Sequence, residues 1–374
     1  MKILKIKAWN YKNCSDGYTI DFVAKTKKTA EDKEYELQEI APELFLFNTM
    51  AFVGKNASGK TTALEIIAIC DSIIAEFRTG NTFGCKYKNT KFEIYFYHDL
   101  FIYKYITELN TVQRNEYSNV EFSNEEIYRK KYVKSNLKDI FSFSSENKIE
   151  VSGTLPQDVS KIFFALGSIQ PQCVFYDWRD ENVNSLMQLL EYSSMSDNVE
   201  TFKTVLKIFD ENINDLVVRK DNLYELTYMG ELIQVSINQL FNRLSIGTIK
   251  GIALYYWAVL CLQEGHTLIV DEIENHFHKT LVENLISLFK DKKVNKNNAT
   301  LIFATHYNEL LDLFNRKDNI NICRSEGMLS NYNMADNYKE VRYETLKSKA
   351  FYNNVFDTAV NYEYLMDLKR ELMK

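Results

Sequence analysis

Eight residues, Gly54-Lys55-Asn56-Ala57-Ser58-Gly59-Lys60-Thr61, constrain this chain more than any other stretch. They fill the pattern G-x-x-x-x-G-K-[S/T] completely, after a short apolar run at 49–53 and before an apolar-periodic helix expected over about 60–78. Gly54 and Gly59 permit backbone angles and a close approach that a side chain would block. The loop N–H groups of Gly54, Asn56, Ala57, Ser58 and Gly59, with the helix N-terminus at Lys60, Thr61 and Thr62, present positive potential to the β- and γ-phosphates of a nucleotide. Lys60 adds a point charge, and the Thr61 hydroxyl suits Mg2+. The expected ligand is ATP with Mg2+.

Three further segments have chemistry to offer. Asp271-Glu272 closes the apolar run Thr267-Leu268-Ile269-Val270, and two carboxylates at the end of a buried strand are costly unless something uses them. In phosphoryl transfer one carboxylate holds the metal and the next polarises water, which assigns Asp271 to Mg2+ and Glu272 to the attacking water. A carboxylate pair at an exposed strand end is the alternative. His306 follows Thr305 at the tip of the next expected strand, 300–304, at the same sheet edge. It suits a hydrogen bond to the γ-phosphate or the water, or else a cap on the helix expected from Asn308. Leu244-Ser245-Ile246-Gly247-Thr248 precedes an apolar helix reaching about Gln263. Ser245 is an N-cap candidate, and Gly247 leaves N–H groups open to an anion, as any helix start does.

Elsewhere, residues 2–8 alternate with period two and 18–22 read as a second strand, while the charged stretch 25–37 reads as an exposed loop. Residues 91–106 read as a hairpin with Asp99 near its turn. Between 107 and 240 the signal is mixed, with helical pieces at 183–192 and 198–212 and a hairpin at 216–237. No heptad pattern persists, so no long coiled coil is expected. Helices are expected at 279–292, 308–314 and 362–374, and strand–helix–strand order after 240 implies a parallel sheet. The hydrophobic share of 45% is enough for a substantial core, and a net charge of -6 excludes a global basic footprint for nucleic acid while leaving a local patch open. Six cysteines without CxxC spacing read as reduced thiols rather than a zinc site or disulfide framework. The N-terminus lacks a signal peptide's apolar block, and no stretch of about 18 uninterrupted apolar residues occurs. A cytoplasmic chain is expected.

Phosphate loop, Leu-Ser-x-Gly-Thr, apolar strand with Asp-Glu, then Thr-His: in that order the chain resembles the ABC-type ATPase head of transporters, SMC/RecF repair proteins and OLD-like ATPases. Asp271-Glu272-Ile273-Glu274-Asn275-His276-Phe277-His278, the signature Ser245–Thr248 and the opening Trp9-Asn10-Tyr11 look closest to the AbiL/RloA-like AAA-family ATP-binding proteins of bacterial antiphage defence. The resemblance implies an α/β fold in which a P-loop parallel sheet and an antiparallel β subdomain form a two-lobed head from 1–106 and 240–325. A mixed, largely helical insertion at 107–239 and a tail at 326–374 would serve as partner surfaces. It further implies ATP hydrolysis by two copies paired head to tail, with Ser245 and Gly247 of one touching the γ-phosphate bound by the other.

Asn275 and His276 match the inter-subunit loop of such heads, and Lys12 a basic position near the nucleotide; His276 and His278 alone make a poor metal pair. No convincing Q-loop glutamine follows the first helix, with His98 and Gln113 as possible substitutes. Ile246 and Thr248 stand where transporters have Gly and Gln, which argues against a transporter subunit. About 100 residues follow Glu272, too few for the Toprim nuclease of OLD-like proteins. The expected role is a homodimeric or larger sensor or scaffold for a separate effector, a nuclease or toxin. A RecF/SMC-like ATPase binding duplex DNA, and a structural subunit that holds ATP without turnover, are the alternatives.

Overall fold

Alternating apolar residues build the first strand, β1 (Lys2–Trp9), with Leu4, Ile6 and Ala8 fully buried on one face. On the other face Lys5 pairs with Asp21 at 3.3 Å and Lys7 with Glu93 at 3.2 Å. The computed structural model describes the whole chain except residues 27, 81, 82, 115, 116, 168, 170, 171, 177–198, 220–222, 276, 343, 344, 359–361 and 374. It forms two units, Met1–Cys173 with Ile302–Lys374, and Val174–Leu301. The fold is mixed α/β, with parallel pairing in one sheet and antiparallel pairing in the others.

In the first unit, β1 lies within a five-stranded antiparallel sheet. Its partners are β2 (Tyr18–Asp21), β6 (Thr90–His98), β7 (Phe101–Arg114) and β8 (Tyr117–Lys131), in the order β2-β1-β6-β7-β8. The hairpin expected at 91–106 is present as β6–β7. His98 faces Phe101, and both turn residues have positive φ, 45° at Asp99 and 70° at Leu100, as a two-residue type I′ turn requires. Its second strand continues past 106 to Arg114 and pairs onward with β8. A small hairpin, β3 (Leu37–Ala41) with β4 (Leu44–Phe47), precedes β5 (Thr49–Val53). All of β5 is buried, as a strand covered on both faces must be. Helix α1 (Lys60–Ala75) follows and is buried nearly all round. Next to β5 lie β15 (Ile320–Glu326), parallel, and then β16 (Met328–Asn333), antiparallel to β15.

The expected exposed loop at 25–37 is corrected here. Asp32–Glu36 forms a π-helical turn whose Asp32 and Glu36 are buried. Arg316, 1% exposed, donates from Nη1 to Asp32 at 3.0 Å and from Nε and Nη2 to Asp318 at 2.8 and 2.6 Å. Glu36 accepts from the Asn315 backbone N–H at 3.0 Å and from Asn319 Nδ2 at 3.1 Å. Buried carboxylates persist only where partners of this kind meet them, and the Arg316, Asn315 and Asn319 partners of Asp32 and Glu36 lie far along the chain.

The second unit holds β9 (Cys173–Tyr176, from residue 174), helix α2 (Val199–Phe209) and an antiparallel sheet of β10 (Ile213–Val218), β11 (Leu223–Tyr228) and β12 (Glu231–Ser236). Helix α3 (Ile246–Glu264), β13 (Thr267–Val270) and α4 (Lys279–Lys290) follow. The helix expected at 198–212 is α2, and the hairpin expected at 216–237 is β10–β12 with one strand more. The helix expected at 183–192 lies outside the described residues. Among the described residues of 107–239, the mixture holds more strand than helix. By length and composition α3 is apolar enough to cross a membrane, yet much of it is buried within this unit. Its Gly251 admits the Phe209 ring of α2: a Cβ there would stand 2.1 Å from that ring. Strand β14 (Thr300–Thr305) begins in the second unit and ends in the first.

Asp71 on α1 is buried, and burial pushes its carboxyl up to about 7, with Glu76 adding to the rise; the Gln172 backbone N–H, Lys2 and the N-terminal amine oppose it. A carboxyl whose folded value exceeds its unfolded 3.8 stabilises the fold fully below that pH, and the contribution is lost as pH rises to about 7. The melting temperature of Asp71→Asn is therefore expected to fall less than that of the parent between pH 4 and 7. Parallel pH profiles would refute the assignment.

Candidate functional site

Where β5 ends, the chain passes so close to β15 that only glycine fits. A Cβ on Gly54, at φ 155°, would lie 2.4 Å from the Cys323 carbonyl oxygen and 2.5 Å from Ser58 Oγ. The loop then turns through Ala57 at φ 58° and Gly59 at φ 96°, which stands at the N-cap of α1. Ala57 in the left-handed region costs on the order of 1 kcal/mol, a strain that the packed surroundings must hold. A Cβ on Gly59 would meet the Leu329 side chain of β16 at 3.1 Å. The loop is thus laid against the β15–β16 hairpin.

Lys60, 6% exposed, folds back into this loop. Its Nζ donates to the carbonyls of Gly54 at 3.1 Å and Lys55 at 3.2 Å and stands 3.4 Å from His306 Nδ1. His306 reaches that position because the chain turns directly after β14, with the Tyr307 N–H donating to Thr305 Oγ1 at 2.9 Å. Tyr307, not His306, occupies the N-cap of the 3-10 helix Asn308–Leu313, so the capping alternative for His306 does not hold. The Ser58 hydroxyl is buried, with no hydrogen-bond partner among the described residues. An open cavity of about 340 Å³ lies here, lined by Gly54, Lys55, Asn56, His306, Asn308, Phe351 and Thr358. Thr61 and Thr62 open α1 itself.

A triphosphate fits this donor set. The Lys60 ammonium and the N–H groups at the start of α1 supply hydrogen bonds and positive potential beside the open cavity, and the Ser58 hydroxyl, without a partner among the described residues, lies in the same loop. One turn beyond Thr61, buried Glu65 accepts from Tyr11 OH at 3.2 Å and from Lys12 Nζ. Lys12 is therefore bound to α1.

The remaining predicted site residues belong to the second unit. Asp271 is 5% exposed at the end of β13, and its N–H donates to the Tyr176 carbonyl at 3.3 Å. Glu272 follows at φ 49°, exposed, with its carboxylate accepting from Asn275 Nδ2 at 3.3 Å and its carbonyl from the Asn275 N–H at 2.8 Å. A glutamate in this left-handed conformation is uncommon and strained. Ser245 is the N-cap of α3 and accepts from the Thr248 N–H at 3.0 Å. It is exposed, as is Ile246 at 65%. Gly247 lies in the first turn of α3. His278 caps α4, its Nδ1 accepting from the Thr280 N–H at 3.4 Å, and His276 lies outside the described residues. Of the Q-loop substitutes, His98 sits against Asp99 at 3.4 Å and Gln113 accepts from Ser118 within the β7–β8 hairpin.

Sequence reasoning missed Asn308, Phe351 and Thr358. The last two come from the tail at 326–374, where the only hint was a pair of aromatics, Phe351 and Phe356, in a polar stretch.

The family profile described as "AAA domain, putative AbiEii toxin, Type IV TA system" matches residues 50–312. No curated protein matches the chain. Among solved structures, the SMC head domain from Thermotoga maritima is similar, with a TM-score of 0.41 and 14% identity over 89% of this chain and 99% of that one.

Gly54→Ala forces a Cβ onto a backbone carbonyl that has no room to move. It is expected to destabilise the chain by about 1–3 kcal/mol in chemical denaturation, and stability equal to the parent's would show that the loop is not held against β15.

Proposed function

Since the chain belongs to that AAA-domain family, we propose that it binds ATP, hydrolyses it to ADP and phosphate, and does so as an ABC-type head working in pairs. The observation that carries this reading is the meeting of two distant segments: the phosphate-loop lysine, Lys60, stands 3.4 Å from His306 at the tip of β14. A cationic side chain and an imidazole at one loop suit an anionic group that changes charge and geometry during reaction.

In this reading the N–H groups of Gly54, Asn56, Ala57, Ser58 and Gly59, the start of α1 through Thr62, and Lys60 bind the β- and γ-phosphates. Thr61 in the first unit and Asp271 in the second are each residues that would suit Mg2+, which would neutralise phosphate charge when bound. Glu272 accepts a proton from the attacking water, and His306 hydrogen-bonds the terminal phosphate. The strained, exposed Glu272 is the kind of residue a fold retains for chemistry. Ser245 and Gly247 serve a second copy's nucleotide, a role supported by the exposure of Ser245 and Ile246 at the start of α3. ATP then joins two copies, and hydrolysis releases them.

The biological role we propose is that of a cytoplasmic sensor or scaffold in antiphage defence, of the AbiL/RloA-like branch, governing a separate nuclease or toxin. It rests on the motif wording around Asp271–His278 and on the family match.

Two variants test the core of this proposal. Lys60→Ala is expected to abolish ATP binding in calorimetric titration. Glu272→Gln is expected to hydrolyse ATP at least a hundredfold more slowly, as loss of a general base does, and to run as a dimer with ATP in light scattering. Unchanged turnover removes the base assignment, and a monomer at saturating ATP sinks the paired-head mechanism.

A further inference from the structure

The cavity beside the phosphate loop has a wall that the loop does not supply. Residues 347–358 form it, and they are held from several directions. At one end, the Ser348 N–H donates to Asp312 Oδ1 at 3.0 Å, the Ser348 hydroxyl donates to the same carboxylate, and Tyr352 OH donates to Glu309. Both acceptors lie on the 3-10 helix that begins two residues after His306. At the other end, Asp357 pairs with Arg324 at 3.2 Å, and Arg324 is the neighbour of Cys323, the residue whose carbonyl packs on Gly54. Between these anchors, buried Phe351 packs on Phe356 at 4.4 Å, and Phe356 on Tyr338 at 4.8 Å. Thr358 comes directly after the Arg324 anchor, and Asn308 heads the helix that provides the other one.

Neither Asn308 nor Thr358 is among the side chains that pin the segment. Both are neutral hydrogen-bonding residues that line the same cavity as His306, which stands beside Lys60. We infer that Asn308 and Thr358 read the terminal phosphate of the bound nucleotide, their side-chain N–H and O–H groups donating to γ-phosphate oxygens while Phe351 keeps bulk water from that end. The inference rests on the reading that the loop binds ATP. Under that reading the first turn of α1 takes the β-phosphate, so a phosphate beyond it faces His306 and this wall. A diphosphate presents no oxygens there, and the residues thereby distinguish ATP from ADP.

Calorimetric titration of the full chain with ATP and with ADP, each with Mg2+, tests this. Thr358→Val keeps the shape and removes the donor, and it is expected to weaken ATP binding about tenfold, the usual effect of losing a hydrogen bond to a charged group, with ADP affinity unchanged. Asn308→Ala is expected to do the same, and Thr358→Ser to retain the parent's preference. Thermal melts of each variant confirm the fold, and Thr358→Ser guards against a packing effect at 358. If the parent binds ATP, Lys60→Ala does not, and Thr358→Val and Asn308→Ala bind ATP like the parent, the inference falls and the phosphate-loop reading stands. Equal losses for ATP and ADP also overturn it. A parent chain that binds neither nucleotide overturns both.

Discussion

The contact between Gly54 and the Cys323 carbonyl sets the geometry on which the phosphate loop depends. Glycine there brings the loop backbone against β15 at a separation where a single methyl group would be 2.4 Å from a carbonyl oxygen. The approach turns the Gly54 and Lys55 carbonyls toward the Lys60 ammonium, which binds both. Leu329 of β16 supports the loop from beneath Gly59. The loop's shape is therefore a property of a parallel strand pair and its hairpin, and α1 inherits its start from them. Loops alone are seldom this well defined; this one borrows its rigidity from a sheet.

Charge is the second support. The Lys12–Glu65–Tyr11 group joins α1 to the end of β1, and the Arg316 group joins the turn at 32–36 to residues 315–319. Buried pairs of this type contribute little net stability against well-packed apolar substitutes, while losing one partner costs about 3–5 kcal/mol. Their value lies in register. The planar Arg316 fork suits one arrangement of Asp32 and Asp318, which fixes the turn at 32–36 against residues 315–319.

What was legible in the sequence was local. The phosphate loop needs two glycines and a lysine at close spacing, the buried strands are continuous apolar runs, and the β6–β7 turn lies between alternating aromatics. Ser245 could be read as an N-cap because a cap is a contact over three residues. Illegible features were long-range. Asp32 and Glu36 look solvated until Arg316 and Asn319 appear beside them, and no local spacing announces that. Thr358 was invisible, and Phe351 stood out only as an aromatic in a polar stretch, for the same reason: their place at the cavity follows from anchors on Asp312, Glu309 and Arg324.

The pairing of β5 with β15, and of Gly54 with Cys323, has a bearing on synthesis. A ribosome delivers the loop early and the strand that shapes it late, with the wall at 347–358 later still. Domains emerge N-terminal end first, and contacts of such sequence separation form slowly. A nascent chain therefore displays its glycine-rich segment long before that segment has the walls of a binding site, and competence for nucleotide waits until β15 and the wall at 347–358 have emerged.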